Sequence, residues 1–163
     1  MIRWWARRVR QFVRYVTGRV TPAERAALSS WLAPAQLDLF ERMHRADQRH
    51  GLDVVAALRR AGHSDPDLLL AGLLHDAGKG RDLHIWHRVA WALAERHPGL
   101  EPTFLRVPSF GAAFATMADH AERSARLALE AGCSARTADL IRHQAEPSDE
   151  ELVVALGLAD EAS

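Results

Sequence analysis

Leu68-Leu69-Leu70-Ala71-Gly72-Leu73-Leu74 is an unbroken apolar run, and it ends in His75-Asp76-Ala77-Gly78-Lys79. Such a run buries itself, which commits the rest of the chain to covering it. A histidine and an aspartate at its buried end are costly unless a metal ion or hydrogen bonds satisfy them. The cation that follows is unusual for this sequence. Of 21 basic side chains only Lys79 is lysine, and all the others are arginine. A chain so biased against lysine, with one directly after His-Asp-x-Gly, points to a need there for a compact ammonium rather than a planar guanidinium fork.

Elsewhere the apolar spacing is helical. Ile2, Trp5, Val9, Phe12, Val13 and Val16 share one face, with arginines opposite. Gly18 ends that segment, and Thr21-Pro22-Ala23-Glu24 carries the capping-box pattern of a second helix. Pro34 breaks it, and a third helix is expected from about Ala35 to Ala61, kinked near Gly51. Ser64-Asp65-Pro66 starts the helix of the apolar run, which Gly78 and Gly80 stop. Another is expected from Leu83 to His97, closed by Pro98-Gly99. Residues 98–118, with Pro98, Pro102, Pro108, Gly99 and Gly111, read as a long loop with one helical turn. Helices resume over 118–131, 134–143 and 148–159. No strand pattern emerges, so the expected fold is all-α, a single-domain bundle of seven to nine helices. Residues 1–34 form a helical extension packed on a core of residues 35–163.

A chain of 163 residues suits one domain with a real core. The formal net charge of zero gives no electrostatic case for nucleic acid or an anionic membrane, although the basic amphipathic N-terminal segment is interfacial in composition. One cysteine, Cys133, rules out an internal disulfide and reads as a small buried residue. No apolar stretch reaches the ~20 residues of a membrane span, and no signal peptide is read, so the expected location is cytoplasmic. Six arginines and no acid in residues 1–20 face six acids and no base from Glu146 onward, a pairing that would also suit a homodimer.

An internal echo adds chemistry. His50 is followed by Gly62 at +12 and Ser64 at +14, with His75 closing the unit, and His120 by Gly132 at +12 and Ser134 at +14, with His143 closing it. Each unit reads as a helical hairpin that brings its histidines to one end, so two hairpins side by side present four imidazoles to one site. His50 lies on a stripe with Asp47, Val54 and Ala57, and Asp160 one turn past Leu156, so both point inward.

His50, then His75-Asp76 within Leu-Leu-His-Asp-Ala-Gly-Lys, then Asp160, resembles the HD-domain superfamily of metal-dependent phosphohydrolases over roughly residues 40–163. His120 and His143 look like the extra histidines of its binuclear branch, which includes diadenosine-tetraphosphate hydrolases, cyclic-di-nucleotide phosphodiesterases and a few di-iron oxygenases. The resemblance implies His50, His75, Asp76 and Asp160 on one metal, with Asp76 bridging to a second held by His120 and His143. The chain departs from the cyclic-di-nucleotide enzymes in lacking their longer signature after Gly-Lys and in having Gln144 in place of a second adjacent histidine.

Four imidazoles and two carboxylates suit iron, manganese, zinc or cobalt better than magnesium or calcium. Two such ions about 3.5–4 Å apart clamp an in-line displacement and generate a bridging hydroxide near neutral pH. The leading expectation is thus hydrolysis of a small-molecule phosphate, a nucleotide or another ester or anhydride. Asp76 and Lys79 are the catalytic pair, with Lys79 also meeting a phosphate oxygen. Arg81, His84, His87 and Arg123 are softer candidates for phosphate contact, and Asp47 for orienting His50. Trp86 and Trp91 read as core. A di-iron oxygenase uses the same ligand set, and a non-catalytic regulatory domain keeps the same fold, but every core ligand is present and Lys79 favours hydrolysis.

Overall fold

The computed structural model describes residues 17–144 and 151–162, with side chains to Asp160 at the C-terminal end. The apolar stripe of residues 2–16, and the stretch 145–150, lie outside them. Among the described residues there are ten α-helices and no strand. The all-α expectation therefore holds, while the count exceeds seven to nine.

Helix α1 (Pro22–Ser29) begins in the expected capping box: Glu24 N–H donates to the Thr21 hydroxyl at 3.2 Å, and Thr21 N–H to Glu24 Oε2 at 2.9 Å. Leu28, and Leu32 beyond the helix, are buried in the main core, which docks this part of the extension onto the rest. The single helix expected over 35–61 is two, α2 (Pro34–Arg42) and α3 (Arg45–Arg60), separated by extended Met43 and His44. Side chains support the break. Gln48 Nε2 donates to the carbonyls of Phe40 at 3.0 Å and Met43 at 3.2 Å, and the His44 ring accepts from Ala46 N–H at 3.2 Å. The α2 end thus meets its orphan carbonyls and α3 its orphan donors within the fold.

Gly51, expected as a kink, sits inside a continuous helix. A Cβ there would lie 2.4 Å from the Leu73 carbonyl oxygen, so glycine lets α3 cross α4 (Pro66–Leu74) at backbone contact. Asp65 caps α4 by accepting from Leu68 N–H at 3.0 Å. Leu68, Leu73 and Leu74 are fully buried, and α4 packs on α3 and on the two helices α9 (Ala135–Arg142) and α10 (Glu151–Ala162). The apolar run is the centre of the molecule, as its composition demands.

A 3-10 turn (Ala77–Lys79) ends at Gly80, whose φ of 68° is left-handed. Helix α5 (Ile85–Arg96) follows. Residues 98–118, expected as a loop, are mostly helical: a 3-10 turn (Pro98–Leu100), α6 (Glu101–Phe104) and α7 (Pro108–Ala118). The prolines read as breakers occupy first-turn positions, where a missing N–H leaves no bond unmade, so they start helices. These elements, with the split of the 35–61 helix, account for the extra helices. They also form a satellite lobe, with Ala90, Ala94 and Phe114 buried against Trp91, Phe104 and Phe110. Trp91 meets Phe114 edge-on at 5.3 Å, but Trp86 is 70% exposed and not core.

Helix α8 (His120–Glu130) and α9 complete the second hairpin. Both hairpins turn the same way: Gly62 at φ 92° and Gly132 at φ 79° are left-handed, and His63 N–H and Cys133 N–H donate to Leu58 and Ala128 carbonyls, 3.0 and 2.9 Å away. Cys133 is buried, as expected. Among the described residues no helix is long and apolar enough to cross a membrane.

Candidate metal centre

The close crossing at Gly51 sets His50, at the neighbouring position of α3, beside the end of α4. The His50 and His75 rings meet edge-on, 5.1 Å apart. Helix α10 brings Asp160 to the same place. His50 Nε2–H donates to Asp160 Oδ1 at 2.6 Å, and His75 Nε2 lies 3.6 Å from that oxygen. His50, His75 and Asp160 each offer a ligand atom within 4.8 Å of the others. They are the one such group among the described residues.

Asp76 joins this group through His75. Only 3% of its side chain is exposed, and its Oδ1 lies 3.5 Å from His75 Nε2 and 3.9 Å from His120 Nε2. That oxygen is buried without a hydrogen-bond partner. Its Oδ2 accepts from Lys79 Nζ at 2.6 Å. An orphaned buried carboxylate oxygen is expensive, and here it faces imidazole nitrogens rather than donors.

The imidazoles are turned for the same task. His75 Nδ1–H donates to the Gly72 carbonyl at 3.0 Å and His120 Nδ1–H to the Met117 carbonyl at 2.6 Å. Those bonds fix each ring and direct Nε2 toward Asp76, the arrangement that presents a neutral imidazole lone pair to a metal. The donor set of nitrogens and carboxylate oxygens fits a divalent transition ion.

Burial pushes His75 down, but the carboxylates of Asp76 and Asp160 outweigh it and hold the imidazole at about 9. A metal ion entering this place would displace a proton from His75. Burial raises Asp76, yet Lys79 and three imidazoles hold it well below the usual carboxylate range. Asp160 is lowered likewise, its desolvation overcome by bonds from His50 and His75. Burial and the nearby Lys79 ammonium depress His120. Two ionised carboxylates among imidazoles make a place that gathers positive charge.

The backbone behind Asp76 and Lys79 is held by α8. A Cβ on Gly78 would lie 2.4 Å from the His120 carbonyl oxygen, and Gly78 N–H donates to the buried Ser124 hydroxyl at 2.8 Å. Ser124, four residues after His120 on the same face, went unnoticed in the sequence, although that spacing is a usable signal. Arg123 is half-buried over the same turn and reaches Thr116 Oγ1 at 3.4 Å.

Compared with known proteins, the chain matches no family model, no curated protein and no solved structure.

The other candidates make other contacts. The His143 side chain is 38% exposed and makes its short contacts with Asp139, whose carbonyl accepts from its Nδ1 at 3.0 Å. No ion pair among the described residues joins it to Asp76 or Asp160. Arg81 is not aimed at a ligand: it donates to the Arg42 and Glu41 carbonyls at 2.9 and 2.6 Å, closing the α2 terminus. His87 is buried in the lobe against Phe110, ring centroids 5.0 Å apart, and burial lowers its pKa. His84 caps the lobe's first helix beside it. Asp47 does not orient His50. It forms a two-pronged pair with Arg88 of α5, at 2.7 and 2.6 Å, which ties the lobe to α3.

Proposed function

We propose that this chain is a metal-dependent phosphohydrolase of HD type, acting on a nucleotide or another small phosphate ester or anhydride. The observation that carries the reading is Asp76: a buried carboxylate with one oxygen orphaned among imidazoles and the other held by the chain's only lysine. His50, His75 and Asp160 would hold the ion, joined by Asp76, whose Oδ1 lies 3.5 Å from His75 and 3.9 Å from His120. A divalent ion bound there supplies Lewis acidity and brings the pKa of a water toward about 7.

The chain's own residues supply the rest. Gly72 and Met117 carbonyls hold the protons of His75 and His120 at Nδ1, which keeps each Nε2 directed inward. Lys79 Nζ spends one N–H on Asp76 and has two more to donate, so a phosphate oxygen arriving at the centre meets a fixed positive charge. Arg123, over the same turn, is the second cation available to a phosphate. A positively charged partner for phosphate oxygens favours phosphoryl chemistry over oxygenation.

The test is metal content of the purified protein together with phosphate release from a panel of phosphomono-, di- and polyphosphate substrates. Wild type should hold a transition metal and hydrolyse at least one class, and Asp76→Asn should lose both. Metal-loaded protein inert on the whole panel would overturn the reading. Oxygen uptake with a mixed-valent iron EPR signal would replace hydrolysis with oxygenation.

A further inference from the structure

We propose that the Lys79 ammonium takes the place of a second metal ion, so that the centre works with one ion and one tethered cation. The inference rests on reading His50, His75, Asp76 and Asp160 as ligands of a single ion. A carboxylate that bridges two ions with one oxygen on each needs both of its oxygens free. Asp76 has only Oδ1 open toward the imidazoles, because Oδ2 holds Lys79 Nζ at 2.6 Å.

The ammonium is not a casual visitor. Asp76 and Lys79 are three residues apart across a 3-10 turn, where side chains at that spacing eclipse. Gly78 between them is pressed on α8, and only 15% of the Lys79 side chain is exposed. Moving Nζ away would leave a second buried oxygen of Asp76 without a partner.

The ligands on the far side point the same way. A second ion would require imidazoles from both ends of the α8–α9 hairpin. His120 is there, 3.9 Å from Asp76. His143 instead sits with Asp139. Charge bookkeeping agrees. Two carboxylates, the ammonium and one divalent ion leave a single net positive charge, whereas a second divalent ion added beside the ammonium would leave three. An arginine could not serve equally well, since its planar fork does not present a point charge to one oxygen.

The experiment is a titration of the 163-residue protein, stripped of metal, with manganous ion, read by calorimetry, elemental analysis and EPR. Wild type should bind one equivalent and give an uncoupled manganese spectrum. Lys79→Met, which keeps the stem and removes the charge, should bind the first ion at least about tenfold more tightly, because a repelling charge is gone. It should also admit a second equivalent at higher concentration. Two equivalents in wild type, or a spin-coupled manganese pair, would overturn the proposal whether or not the variant folds. An unchanged titration in folded Lys79→Met would overturn it too. No ion bound by either protein would overturn the metal reading itself and this proposal with it.

Discussion

The two helical hairpins, α3–α4 and α8–α9, start alike and finish differently. Both end their first helix with a left-handed glycine and the same pair of closing hydrogen bonds. Their second helices then diverge by one residue. His75 lies ten positions after the Asp65 N-cap and His143 nine after the Ser134 N-cap. One residue is about 100° of helical rotation. The first hairpin closes both histidines on one centre. The second gives it His120 and leaves His143 partly exposed beside Asp139. Similar spacing in a sequence specifies the turn, but rotation around the helix decides which side chains converge.

The sharpest way to break this contrast is to remove one closing histidine at a time. His75→Ala should weaken metal binding by more than about 100-fold, beyond what loss of an outer partner costs, while His143→Ala leaves affinity unchanged. Titration of metal-stripped protein reads both, and equal losses would erase the distinction.

Next in size is the backbone contact that only the first hairpin makes. Gly51→Ala drives a methyl toward the Leu73 carbonyl oxygen and should cost about 2–3 kcal/mol in urea unfolding. The position after His120 is already alanine, Ala121, so the second hairpin makes no such demand. Gly111→Ala, in helix α7 with nothing within 4 Å, is the control and should stabilise by about 0.5 kcal/mol.

The second hairpin is anchored differently, by hydroxyls. Thr137, fully buried, donates to Asp67 Oδ1 at 2.8 Å, and Ser134 donates to the same oxygen at 2.5 Å. Thr137→Val should cost about 1 kcal/mol, and no loss in the melting curve would remove this tie from the account.

The smallest effect lies beside His50. Arg49 donates to Glu24 Oε1 at 2.6 Å and joins the first hairpin to α1. That bond, aided by Thr21, lowers the Glu24 pKa from 4.5 to about 2. A depressed carboxylate stabilises the fold above its unfolded pKa, and the contribution fades as pH falls through the folded value. Glu24→Gln should therefore lower stability at pH 7 by less than about 1 kcal/mol, and the gap to wild type should close near pH 2. A gap that widens on acidification would contradict the assignment.

Much of this was legible in the chain. Thr21-x-x-Glu24 named its own helix start, and an apolar run with no polar face could only be central. His50, His75 and Asp160 were legible because apolar neighbours at helical spacing fixed which way they faced. Three things were not. Proline is equally at home ending one helix and starting the next, so residues 98–118 looked like loop. The Asp47–Arg88 pair joins residues 41 positions apart, which no local pattern encodes. The contact of His143 with Asp139 turns on one residue of helical rotation, less than the uncertainty of any helix boundary read from sequence.

The satellite lobe carries a consequence for timing. Its core has three buried side chains, against two dozen in the main cluster, so among the described residues it is expected to open before the main core in native-state hydrogen exchange. Yet Met117, in the lobe's last helix, supplies the carbonyl that orients His120. His120 itself begins α8 of the main core, so one imidazole of the centre is rooted deep but oriented by the shallowest-rooted element of the molecule. Opening of the lobe is expected to release the Met117 bond to His120 while the Gly72 bond to His75 stays made.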